Sequence, residues 1–405
     1  MQEKQADIAV IGAGLAGLAT TLALKVQGFD VVNIAPPLPK VDQRTTALWS
    51  DSVEFLNSLG IDEIFHKKGN PLRTIRMIDD TNRLIRSPQT EFHSNEIGLD
   101  EFGYNIANKH LSEELRQRIA SSRSDVFLEA AVEDVALNPD RADLTLSSGE
   151  QVAANFVIGA DGRNSAVRRA SGITARDWSY PQTAIVLNFK HELPHDDVST
   201  EFHTASGPFT IVPLGPGLCS LVWVETPEKA AAIKAYGIGE LAGEIEKHMH
   251  SMLGKITVTS EIQSFPLSGM IANSFGSGRT VLVGEAAHVF PPIGAQGFNL
   301  GLRDVQAVTD LLISCVPFTA IASEYDRNRR LDVSTRTASI DLMNRSLLSS
   351  FLPVQLLRGI GMGALSSIGP LRRMAMREGI APGKTLRMIS RNLADRLPHR
   401  RYAKM

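Results

Sequence analysis

Cysteine is scarce in this chain of 405 residues: Cys219 and Cys315 are the two, and neither neighbours a C-x-x-C pattern or a histidine. A disulfide framework is thereby excluded, and two buried, reduced thiols in a reducing cytosol are expected. No run of about 18 apolar residues occurs, so no conventional transmembrane helix is expected. Residues 1–7 are polar and lead straight into a strand pattern, which leaves no room for a secretory signal. A net charge of −2 with 21% charged residues fits neither a general nucleic-acid binder nor a disordered chain. No metal-ligand cluster, internal repeat or low-complexity tract is evident. These absences predict a cytoplasmic protein, either free or bound peripherally at the inner face of the cytoplasmic membrane. The length allows two domains with extensions.

Charge is balanced overall but not along the chain. Residues 341–405 carry twelve Lys and Arg against three acids, so a basic tail follows an acidic body. Within the tail, Leu347-Leu348, Phe351-Leu352, Leu356-Leu357, Ile360 and Met362 form an apolar stripe, continued by Leu365, Ile368, Leu371 and Met374. Arg372-Arg373, Arg377, Arg387, Arg391 and Arg400-Arg401 accompany or follow it. A basic amphipathic helix suits an anionic membrane surface. A helix packed on the body, or on a partner in a biosynthetic complex, fits the same pattern.

Glycine stands out in three places. Gly12-Ala13-Gly14-Leu15-Ala16-Gly17 follows the apolar run 8–11, and Gly159-Ala160-Asp161-Gly162 follows Phe156-Val157-Ile158. Gly284-Glu285-Ala286-Ala287-His288 follows Val281-Leu282-Val283 and runs into Pro291-Pro292-Ile293-Gly294-Ala295-Gln296-Gly297. The first lies in a βαβ context: a helix over 15–27 with Leu18, Leu22 and Val26 on one face, Gly28 at C′, then a strand over 31–34. Gly12 permits the tight turn, Gly14 lets the backbone approach a pyrophosphate, and Gly17 lets helix and strand pack closely. The third opens a helix whose first N–H groups suit the anionic N1/C2 carbonyl edge of a reduced flavin. Pro291 and Pro292 make a rigid, donor-free turn beside it. Three such turns, each after a short buried strand, indicate FAD rather than NAD. The acid that usually holds the ribose, about 20 residues past the glycines, is missing. Ala35 stands there, leaving Asn33, Asp42 or water for that hydroxyl.

The expected fold is α/β: a Rossmann-like FAD-binding domain, an inserted β-sheet substrate domain and a C-terminal helical region. Residues 1–70, 100–178 and 270–335 are assigned to the first, 71–99 and 179–269 to the second, and 336–405 to the third. Helices are expected through Val53, Leu56 and Leu59, and over 110–119, 240–253 and 299–315. Strands are expected around Ile75, Met77 and Leu84, and over 156–158, 184–189, 210–212, 218–224 and 258–265. Strands within 126–146 break at the Asn138-Pro139-Asp140 turn.

The stretches IGAGLAGLATTLAL, RTTALWSDSVEFLNSLGI, IGADGRNSAVRRASGI, VLVGEAAHVFPPIGAQGFNLGLRDV and YDRNRR lie between residues 8 and 330. They resemble the class A flavoprotein monooxygenases of the para-hydroxybenzoate hydroxylase superfamily and, within it, the ubiquinone-biosynthesis hydroxylase (UbiH/VisC) family. The resemblance implies FAD as cofactor, NAD(P)H as electron donor, and a polyprenylated phenol with O2 as substrates. It further implies ring hydroxylation through a flavin C4a-hydroperoxide kept from water. It assigns Gly12, Ala13, Gly14, Leu15 and Gly17 to the pyrophosphate turn, Arg44 to the FAD chain and Val132 to the adenine border. Asp161 belongs to a fingerprint serving both FAD and the pyridine nucleotide. Gly284 and Glu285 are assigned to the ribityl chain, and Pro292, Gly294, Gln296, Gly297, Phe298 and Asn299 to the isoalloxazine. Glu285 replaces the family's usual Asp and carries its carboxylate one methylene further out. No side-chain nucleophile is needed, so no catalytic acid or base is assigned, and His288 reads as a structural hydrogen-bonding histidine. Two rivals remain at this stage: a hydroxylase of a small soluble aromatic compound, and a non-catalytic scaffold of a biosynthetic complex. A closed pocket would favour the first, and failure to hold FAD the second. No W-x-W-x-I-P stretch supports a halogenase.

Overall fold

The computed structural model describes residues 4–37, 42–81, 83, 86–121, 126–314, 316–348, 361, 363–364 and 367–380. Five strands lie parallel, and all but the edge strand Phe127–Glu129 are rich enough in apolar residues to be covered on both faces. Lys4–Ile11 is central, flanked by Gln151–Gly159 and Val31–Ala35, with Thr280–Leu282 and Phe127–Glu129 outside them. Ile8, Val10, Phe156, Ile158 and Val281 are fully buried in this core. The strands Val132–Leu137 and Ala142–Leu146 flank the predicted turn and pair with each other, and Ala142–Leu146 pairs onto the first half of Gln151–Gly159. Helix Leu15–Val26 stops as expected at Gly28, whose φ of +86° places it in the left-handed C′ conformation.

The second sheet has nine strands, built around Ala175–His191. Local pattern predicts strand over 184–189 alone. A bulge between Ser179 and Thr183 lets the strand run much further, absorbing Pro181, which has no N–H for the ladder. Ile185, Leu187, Phe189, Leu221 and Trp223 face helices Pro227–Lys234 and Ile238–His248. The opposite face turns toward the first sheet across a small three-stranded sheet of Thr45–Trp49, Gly103–Ala107 and Asn70–Leu72. Thr45 Oγ1 donates to Ser220 Oγ (3.0 Å), and Asn105 Nδ2 donates to the Pro213 carbonyl (2.8 Å), joining the two sheets.

Several expectations need correction. The helix expected over 240–253 ends at His248, because His250 and Ser251 take positive φ values of 51° and 55°. The strand expected over 258–265 is two strands, Ile256–Val258 and Gln263–Ala272, with a loop in which Ser260 Oγ accepts the Asn188 N–H (2.8 Å). Cys219 is buried and its thiol is pushed up to about 12 by burial, as an inert reduced thiol should be. It does have a histidine neighbour, with His191 Nε2 3.4 Å from its sulfur. The contact is invisible in sequence because cross-strand pairing, Phe189 opposite Cys219, creates it. Cys315, Leu84 and most of the tail stripe, including Arg387, Arg391, Arg400 and Arg401, lie outside the described residues. Helices Phe318–Leu348 and Gly369–Ile380 represent the tail. No helix among the described residues is long and apolar enough to cross a membrane.

Candidate cofactor and substrate site

The three glycine segments meet. Gly12 has φ +113°, and a Cβ there would lie 2.2 Å from the Ala160 carbonyl oxygen. A Cβ on Gly17 would lie 2.0 Å from the Gly12 carbonyl oxygen. A Cβ on Gly284 would approach that of Ala16 to 3.1 Å, which brings in the third segment. Gly14 differs from all of these. Its backbone is extended (φ −69°, ψ 175°), and nothing lies within 4 Å of a Cβ built on it. It caps helix Leu15–Val26 without a side-chain hydrogen bond, so the helix's first N–H groups face open space. A cradle of bare backbone at a helix N-terminus is what a pyrophosphate requires.

Arg44 is fixed by a two-pronged pair with Asp42 (Nε–Oδ1 and Nη2–Oδ2, both 2.9 Å), and Asn108 donates to the same carboxylate. The Asp42 hydrogen bond above all, and then the Asp42 and Glu285 charges, raise the Arg44 pKa against the effect of burial. Glu285 itself is exposed, and the Arg44 guanidinium lies over the Phe265 ring (5.6 Å). Asn33 does not reach the open side of the cradle. Its amide is buried and donates to the Gly12 carbonyl (3.0 Å) and to Thr21 Oγ1 (2.9 Å), bracing the glycine turn from behind. Asn33 is therefore withdrawn as a ribose ligand. Asp161 Oδ2 accepts the N–H groups of Ala166 (2.6 Å) and Val167 (3.2 Å). Its Oδ1 is buried with no partner among the described residues. Val132 lies half-buried against the first core, opposite Leu146.

Beyond Glu285 the loop alternates. Pro292, Gly294 and Gly297 are exposed, while Ile293 is 1% exposed. Helix Gln296–Ile313 then begins at Ala295, itself left-handed (φ 53°), with no side-chain cap and no acid in its first turn. Gln296 is gripped through its Oε1 by Arg336. Burial, followed by the charge of Arg303, pulls Arg336 down to about 10, so it stays cationic at neutral pH. Phe298 packs toward the glycine-loop helix, against the cluster containing Leu18 and Leu22. Asn299 binds the small sheet: its Oδ1 accepts the Trp49 backbone N–H (2.9 Å), and its Nδ2 donates to the Ala47 carbonyl (2.8 Å).

Under the loop lies a buried ionic cluster that motif reading missed. Asp304, 1% exposed, accepts the Gly284 N–H (3.0 Å), His288 Nε2–H (2.6 Å) and Arg329 Nε–H (2.8 Å). Burial opposes its charge, but His288, Arg329 and the hydrogen bonds prevail and its pKa is lowered. His288 is accordingly a structural residue, stacked on Phe290 with centroids 5.1 Å apart. The available signal was an acid on the buried face of a helix, between Leu300 and Val308.

The FAD binding domain family matches residues 5–335. The chain belongs to the FAD-dependent monooxygenases. It is 31% identical over 392 residues to ubiquinone hydroxylase UbiL of Rhodospirillum rubrum, covering 93% of this chain and 90% of that relative. It is 30% identical over 394 residues to 3-demethoxyubiquinol 3-hydroxylase of Escherichia coli, covering 93% and 99%. Its fold matches p-nitrophenol 4-monooxygenase PnpA of Pseudomonas putida at 18% identity, TM-score 0.76, covering 93% and 98% of the two chains. FAD is therefore the cofactor of this monooxygenase.

Next to the loop that opens helix Gln296–Ile313, the monooxygenase has an apolar cluster. Trp49, Leu72, Phe92 and Phe102 meet Met77, Val212 and Ala295 there, and Met376 and Ile380 of the tail helix cover it. Arg372 fixes that helix through both carboxylate oxygens of Glu96 (2.6 Å each) and a stack over Phe92 (4.8 Å).

Proposed function

We propose that this monooxygenase hydroxylates the aromatic ring of a polyprenylated phenol in ubiquinone biosynthesis, with NAD(P)H as electron donor. The apolar cluster carries this reading, since it joins the loop at Ala295 to the tail helix, with Arg372 stacked on Phe92. The names of the relatives described above support the same substrate class. Gly12, Gly14 and Gly17 would hold the pyrophosphate, with Arg44 and Glu285 flanking the chain. Asp161 offers a free acceptor to a cofactor hydroxyl, and the open start of helix Gln296–Ile313 supplies positive potential, reinforced by Arg336, for the reduced ring. Bound FAD, once reduced, supplies the O2 activation that no side chain can. The protein's own share is to orient the substrate ring and exclude water from the reaction. The segments 71–99 and 179–269 would form the substrate domain.

In a strain deleted for the gene, ubiquinone should disappear and one under-hydroxylated prenylphenol accumulate. Unchanged quinone, with no redundant hydroxylase present, would sink the reading.

The tail helix also favours peripheral binding to an anionic bilayer. Ile368, Leu371 and Met374 are 50%, 36% and 49% exposed, while Met376 and Ile380 point inward. Arg373 and Arg377 lie exposed beside the outer residues. The full chain is expected to sediment with phosphatidylglycerol vesicles and not with phosphatidylcholine ones. Leu371→Asp should weaken that binding about tenfold or more, through lost burial of roughly 2 kcal/mol and added repulsion.

A further inference from the structure

Trp49 holds a buried polar group with nothing to bond. It is 9% exposed, and its indole N–H has no acceptor among the described residues. The other two tryptophans differ in setting. Trp178 donates to Tyr180 Oη (2.6 Å); the Trp223 indole N–H is also buried without an acceptor among the described residues, but its ring packs edge-on against His248 (4.7 Å) in the core between the second sheet and its helices. Trp49 instead belongs to the apolar cluster beside the loop that opens helix Gln296–Ile313, whose side chains (Ala47, Met77, Val212, Ala295, Met376) offer no oxygen or nitrogen acceptor. Its backbone N–H is fixed there by Asn299, a residue of the helix proposed above to open on the flavin edge. A buried indole N–H ordinarily finds a partner, because leaving a donor desolvated and unpaired costs free energy. An apolar cluster with one unanswered donor fits a mostly apolar ligand that carries one oxygen and enters by displacing part of that packing.

We propose that the Trp49 N–H donates to a ring oxygen of the substrate, which makes Trp49 a specificity-determining residue that seats the phenol ring against the flavin. The inference rests on the prenylphenol reading above. A site built to hydrogen-bond a hydroxyl discriminates against the analogue that lacks it, since that analogue leaves the donor buried and unpaired.

The test uses the FAD-loaded full chain in nonionic detergent, with equilibrium binding of 2-geranylphenol and of geranylbenzene, which lacks the ring oxygen. Wild type should prefer the phenol by about tenfold, the value of one buried hydrogen bond. Trp49→Phe should erase that preference, leaving geranylbenzene affinity, FAD affinity and thermal midpoint close to wild type. Met77→Leu, a packing control in the same cluster, should keep the preference. If Trp49→Phe still prefers the phenol, or loses FAD affinity instead, the donor does not serve the substrate and the proposal is overturned alone. If wild type binds neither compound, the prenylphenol reading falls and this inference with it.

Discussion

Gly14→Val is expected to leave the apoprotein folded and to deprive it of its flavin. The backbone at Gly14 is extended, so a branched residue adopts it without strain, and a Cβ there meets nothing within 4 Å. The added isopropyl group would fill the space in front of the first turn of helix Leu15–Val26. The phosphates would be held away from those N–H groups, and losing two charge-assisted hydrogen bonds at about 1.5 kcal/mol each amounts to roughly a hundredfold in affinity. Purified protein should be colourless, with an apoprotein thermal midpoint matching wild type and FAD titration shifted by that factor. Gly12→Ala should behave differently. Its Cβ would meet the Ala160 carbonyl oxygen at 2.2 Å, and φ +113° is strained for any side chain, so folding itself should suffer. Equal loss of stability in both variants would mean that the space before Gly14 is not the pyrophosphate cradle.

That contrast shows what the sequence could convey. The strands, the glycine turns and the helix stop at Gly28 depend on neighbours a few residues away, so local pattern specified them. The Arg44 and Asp42 pair, two residues apart, was also within reach. Asn33 was misjudged because alternation cannot tell which face of a parallel strand, buried on both sides, lies under the helix. Its amide turned to Thr21 and Gly12. The bulge at Pro181 and the His191 contact to Cys219 depend on strand pairing. The tail is the clearest case: it is apolar on two faces, so periodicity could not decide between packing on the body and facing a bilayer. Helix Gly369–Ile380 buries Met376 and Ile380 while leaving Leu371 and Met374 outside.

Asp304→Asn should be the most destabilising conservative change in the described part of the molecule. The carboxylate answers three donors from separate parts of the chain: the Gly284 N–H, His288 and Arg329. An amide of equal size keeps one acceptor oxygen and turns an N–H₂ group toward a second donor. Arg329, 6% exposed, would keep Asp332 (2.7 Å) but lose its buried counter-charge. Breaking one partner of a buried ion pair costs about 3–5 kcal/mol, and the remaining Asp332 contact places this case near about 3. Urea unfolding of the apoprotein at neutral pH should show that loss. The effect should also depend on pH, with a definite sign. The folded pKa of Asp304 lies below its ordinary 3.8, so its stabilisation is fully present above that value and lost as pH falls through the folded pKa. The gap between wild type and variant should therefore be constant near neutrality and narrow below about pH 4. A gap that persists unchanged into acid would point to lost packing rather than lost charge. Because the same carboxylate anchors Gly284, FAD affinity should fall together with stability, whereas Gly14→Val separates the two.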